Sequence, residues 1–166
     1  MLQMLTPIPK KILIDTNLLL LFYIGIISED LIPKFKRTKK YEKEDFKLLS
    51  SILSETKEIL VTPNILTEVN NLANSLNGEY RKIFLKLFAG HIQTIKEHYF
   101  PSSQASQFDA FYHFGITDVG IIKVLPRDAA LLTDDFALAE FARSKNCKVI
   151  NFNHLRPVGW KCFAHK

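Results

Sequence analysis

Apolar residues in this chain come in short bursts, and the spacing inside each burst differs. Ile12–Ile14 is a three-residue run with β-branched members, the pattern of a strand buried on both faces. It stops at Asp15-Thr16-Asn17, and Leu18–Ile27 then resumes as ten mostly apolar residues, which predicts a buried helix. Glu58–Val61 predicts a second strand. It leads into Thr62-Pro63, an N-cap followed by proline at the first helical position. Ile65, Leu66, Val69, Leu72, Ala73 and Leu76 then recur on one helical face, which Asn77-Gly78 ends. A helix over Tyr80–Ile95 carries Ile83, Phe84, Leu87 and Phe88 on one side, and a third strand falls near Thr94–Tyr99. Helices are expected over Ala105–Phe114 and Thr117–Leu125, with Pro126 breaking the second. Ala129–Thr133 reads as a strand, Phe136–Ser144 as a helix and Lys148–Phe152 as a fifth strand. Strands alternating with helices predict an α/β fold on a parallel sheet.

Two segments stand outside this rhythm. Ser28–Lys47 contains LIPKFKRTKK and then YEKEDFK, which reads as a basic, mobile insert before a helix from about Glu44 to Lys57. Asn153–Lys166 shows little periodicity.

Composition narrows the class. A chain of 166 residues, 47% hydrophobic with 13 Phe, fits one domain with a sizeable core. The net charge of +5 suits a polyanionic partner. Two cysteines, Cys147 and Cys162, show neither a CxxC pair nor metal-type spacing, so a reducing cytoplasm is expected. Leu18–Ile27 is too short to span a bilayer, which takes about 20 apolar residues, so no membrane partner is expected.

The candidate chemistry is acidic. Asp15, Glu68, Asp118 and the pair Asp134-Asp135 each follow a predicted strand or open a helix. In a parallel sheet those positions share the edge where α/β proteins bind ligands. Glu68 lies three residues after Ile65 and four before Leu72, and Asp118 lies three and four before Ile121 and Ile122, so both border core-facing sides. Each also has a purely structural reading. Asp15, Asn17 and one of Asp134-Asp135 would serve as helix caps, Asp118 would favour a helix dipole, and Glu68 would be an exposed flank residue. Against all four being structural stands their repulsion: two buried carboxylates 5 Å apart repel by roughly 3 kcal/mol at an effective dielectric near 20. Protonation, basic partners or a bound cation must offset this, and oxygen donors of this kind suit Mg²⁺ or Mn²⁺.

With ILIDTNLLL, TPNILTEV, GITDVGII and LLTDDFALAEFARSKNCKVINF in this order, the chain resembles the PIN domain family of metal-dependent nucleases over about residues 11–152. The resemblance implies a three-layer α/β/α sandwich with a five-stranded parallel sheet in the order 3-2-1-4-5. It also implies Asp15, Glu68, Asp118 and Asp135 as metal ligands and catalytic residues, with Thr16, Asn17 and Thr133 supporting them. Asp134 occupies the variable middle of a Thr-x-Asp motif and joins the metal candidates. The implied activity is Mg²⁺- or Mn²⁺-dependent endonucleolytic hydrolysis of RNA. The basic insert has no counterpart in the family; its charge makes Lys36, Arg37, Lys39 and Lys40 candidate phosphate contacts, with a solvated loop as the alternative. A cognate antitoxin and a homodimer are further partners the family suggests; others of its small members process RNA. Two alternatives compete. One is a PIN-like module that binds RNA or protein without catalysis. The other is a phosphatase with Asp15 as nucleophile, disfavoured because Asn17 stands where such enzymes place a second Asp. The five histidines (His91, His98, His113, His154, His165) are scattered and read as surface or packing residues.

Overall fold

The computed structural model describes residues 7–156; residues 1–6 and 157–166, with Cys162 and His165 among them, lie outside it. Five strands form one parallel sheet: β1 (Lys11–Ile14), β2 (Glu58–Val61), β3 (Lys96–Glu97), β4 (Ala130–Thr133) and β5 (Lys148–Asn151). Their order is β3-β2-β1-β4-β5, as expected. The run Ile12–Ile14 is fully buried because β1 is central. Leu13 pairs with Leu60 of β2 on one side and Leu131 of β4 on the other. Among the described residues, seven helices flank the sheet: α1 (Thr16–Ile27), α2 (Lys43–Glu55), α3 (Pro63–Leu72), α4 (Gly78–Ile92), α5 (Ser102–Ala105), α6 (Phe111–Val124) and α7 (Phe136–Ser144). The result is the three-layer α/β/α sandwich that covers a parallel sheet on both faces. Helix α1 lies against α2, α3 and α4, while α7 packs on β4 and β5. One continuous core joins them. No helix of the described residues is long and apolar enough to cross a membrane.

Several local expectations need correction. The helix after Thr62 ends at Leu72 and gives way to a 3-10 turn, Ala73–Ser75. Asn77 does not close it but caps α4, its Oδ1 accepting from Tyr80 N at 3.2 Å. The helix expected over Ala105–Phe114 is instead the short α5, starting after Pro101, followed by turns. Its last residues belong to α6, which runs on to Val124 across a kink at Gly115 (φ 75°, ψ −174°). That backbone region is open essentially to glycine alone.

The segment expected to be a mobile insert is packed. Ile32, Phe35, Thr38 and Tyr41 are buried at three-residue spacing, and Thr38 Oγ1 donates to Ile32 O at 2.8 Å. The intervening lysines mask this spacing, which belongs to a chain of successive turns. Arg156, the last described residue of the tail, forms a bidentate pair with the buried Asp45 carboxylate, both contacts 2.7 Å.

Candidate active site at the carboxyl edge of the sheet

Asp15 is both a cap and a cleft residue. Leaving β1, it caps α1 by accepting from Leu18 N at 2.9 Å through Oδ1. Its Oδ2 accepts from the Thr133 hydroxyl at the end of β4 and from Asp134 N at 3.2 Å. Only 5% of the residue is exposed. Burial, and next the Asp134 carboxylate, push its pKa above the usual range despite these donors.

The other acids arrive on three more elements. Glu68, on α3, accepts from Thr16 Oγ1 at 2.8 Å and from Thr117 Oγ1 at 2.6 Å. Those hydroxyls tie α3 to α1 and α6. Asp135 caps α7, accepting from Leu138 N at 2.9 Å, while its own N–H donates to Thr133 Oγ1 at 3.0 Å. Asp118, on α6, has no hydrogen-bond partner among the described residues. Burial, then Asp135 and Glu68, raise its pKa to about 7. These four carboxylates line one cleft of about 150 Å³ together with Thr16 and Asn17, over a floor of Leu72, Ile121 and Leu138. No histidine lines it. His91 instead hydrogen-bonds Tyr23 at 2.6 Å in an aromatic cluster with Phe84 and Phe88.

Asp134, expected among the metal ligands, is not brought into this cleft. Its side chain, 4% exposed, turns away from the cleft at a bend that follows β4. There it meets Lys40 Nζ at 2.6 Å, Tyr41 OH at 2.7 Å and Asn17 Nδ2 at 3.4 Å. Two other expectations shift with it. Asn17 supports Asp134 rather than contacting Asp15, and Lys40 neutralises a buried acid rather than standing free for phosphate. Lys36, Arg37 and Lys39 are exposed and make no ion pair among the described residues.

Three contributors escape a reading of the sequence alone. Thr117, adjacent to Asp118, orients Glu68. Tyr41 and Arg156 clamp the basic segment through Asp134 and Asp45. Only the three-residue spacing ending at Tyr41 hints at them.

As the side chains stand, no group of three or more His, Cys, Asp or Glu among the described residues is positioned to hold a metal ion. Both oxygens of Asp15 and both of Glu68 accept hydrogen bonds. In kind, the donor set nevertheless fits a hard divalent cation. It is all oxygen, and the Asp118 carboxyl is crowded by Asp135 and Glu68 with no cation beside it. No family model, curated protein or solved structure matches the chain.

Proposed function

We propose that this protein is a divalent-metal-dependent ribonuclease that hydrolyses phosphodiester bonds at the carboxylate cleft. The observation that carries this reading is the convergence of Asp15, Glu68, Asp118 and Asp135, from four separate elements, on one small cleft. Helix capping accounts for Asp15 and Asp135. It does not account for Asp118, which sits against two other acids without a counter-charge.

In this reading the four carboxylates would hold Mg²⁺ or Mn²⁺, which when bound supplies an activated water and stabilises the departing oxygen. The chain's own contribution is preorganisation. Thr133 fixes Asp15, and Thr16 with Thr117 fixes Glu68. The exposed Lys36, Arg37 and Lys39 would offer charge to the substrate backbone. An antitoxin partner or a homodimer rests on the family resemblance alone.

A binding module without catalysis is the second reading, favoured by the hydrogen bonds that occupy the oxygens of Asp15 and Glu68. Incubating labelled single-stranded RNA with the protein in Mn²⁺ or in chelator separates the two. We expect metal-dependent internal cleavage that Asp15→Asn reduces to below about a tenth, a barrier increase above ~1.4 kcal/mol. Retardation of the RNA without cleavage would select the binding module.

A further inference from the structure

A second pocket opens between α6 and α7, and at about 380 Å³ it is larger than the carboxylate cleft of about 150 Å³. The two have no lining residue in common. Helix α6 presents Asp118 and Ile121 to the cleft, and Val119, Ile122 and Lys123 to the pocket. Its volume lies towards the lower end of the range of small-molecule sites, roughly 300–1,000 Å³. Phe108, Val119, Ile122 and Phe141 make it apolar, while Asp109, Lys123 and Lys145 bring charge.

Helix ends are the ordinary explanation of the two lysines. Lys123 lies in the last turn of α6 and Lys145 is the C-cap of α7, where a cation favours the dipole. Their ammonium groups, however, are held over the pocket's own aromatic walls. Lys123 Nζ lies 3.4 Å from the centre of the Phe108 ring, and Lys145 Nζ 5.7 Å from that of Phe141. Neither makes an ion pair among the described residues, although Asp109 lines the same pocket. Phe141 is itself stacked on Phe114, with the rings 4.5 Å apart and 12° from parallel, which holds that wall in place. Apolar walls with unpaired cations over them suit a molecule that buries an apolar body and leaves an anionic group at the lysines. Aromatic walls favour a ring system as that body. Two ammonium groups against one carboxylate leave one positive charge, which matches a single negative charge on the ligand.

We propose that this pocket binds a small aromatic carboxylate, with its rings against Phe108 and Phe141 and its carboxylate at Lys123 and Lys145. Such a site needs neither metal nor RNA, so binding is measured on the full chain in chelator. The probe is the fluorescent aryl sulfonate anilinonaphthalene sulfonate, displaced by naphthoate or by its neutral counterpart, naphthalenemethanol. We expect saturable dye binding, and displacement by naphthoate about fivefold more effective than by the alcohol. Both lysines are exposed, so replacing them leaves the core intact. Lys123→Gln with Lys145→Gln should weaken naphthoate about fivefold and leave the alcohol unchanged. Cys147 lines the pocket, so naphthoate should also slow its alkylation by iodoacetamide in a Cys162→Ser background. Absence of saturable dye binding, or equal displacement by acid and alcohol, overturns the proposal. So does naphthoate affinity that the lysine substitutions leave unchanged, the result expected if these cations serve only their rings and helix ends. Unprotected Cys147 at saturating naphthoate places the ligand elsewhere and overturns it too. Displacement by single-stranded RNA as effective as by naphthoate would make the pocket part of a polyanion surface, again against the proposal.

Discussion

Asp118 carries the least compensated charge in the cleft, and its consequences are thermodynamic. Its folded pKa of about 7 exceeds the unfolded value near 4. The folded protein therefore binds more protons than the unfolded chain between those values. Without metal, stability should fall as pH rises through about 4 to 7 and level off above. Asp15, also raised, adds in the same direction. We expect Asp118→Asn to flatten this decline and, in chelator at pH 7.5, to melt no lower than wild type, provided the amide finds partners. Thermal melts across this range check it, and the same slope in both proteins would count against crowding at Asp118. At this scale the sequence is informative about which acids meet, because strand ends and helical spacing place Asp15, Glu68, Asp118 and Asp135. It is silent on direction at Asp134. Nothing in two adjacent acids says which one faces the cleft; the three-dimensional positions of Tyr41 and Lys40, which hold Asp134, decide it.

Among the elements, α6 shows most clearly how backbone conformation positions the site. Gly115 breaks the helix just before Thr117 and Asp118, so the kink sets the entry of both into the cleft. A side chain at Gly115 would meet no neighbour, so any cost there is conformational rather than steric. Gly115→Ala should therefore lower stability by about 1–3 kcal/mol and reduce cleavage along with it. Denaturant unfolding and the RNA assay measure both effects. Unchanged stability would mean that the helix straightens at no cost. The strands and most helices are legible because apolar runs and caps mark them: β2 and α7 begin and end at the predicted residues. The region from Pro101 to Gly115 is not, since its phenylalanines are half-buried and mimic helical periodicity while the chain turns. The 28–41 segment misleads for the reverse reason. Its inward residues recur every third position, which matches neither strand nor α-helix.

For the molecule as a whole, alternation of strands and helices implies the parallel sheet, whereas the order 3-2-1-4-5 comes from the family resemblance and agrees with the topology found. Charge organisation is the property that only the assembled fold reveals. An acidic cleft faces solvent beside a basic segment, with Asp134 and Lys40 joining the two. If that segment carries substrate, replacing Lys36, Arg37 and Lys39 with Ala should weaken RNA binding. The salt dependence should also flatten, by about 0.7 in log–log slope for each phosphate left without its cation. An unchanged slope would return these residues to a solvated surface. The central claim, that the four carboxylates form a divalent-metal site, is tested most directly by calorimetric titration of Mn²⁺ into metal-free wild type and Asp118→Asn, paired with thermal melts of both. We expect saturable binding to wild type, with stabilisation of about 2.7 kcal/mol at a hundred times Kd, and most of both to disappear in Asp118→Asn. No saturable binding, or equal binding and equal stabilisation in the two proteins, would contradict it.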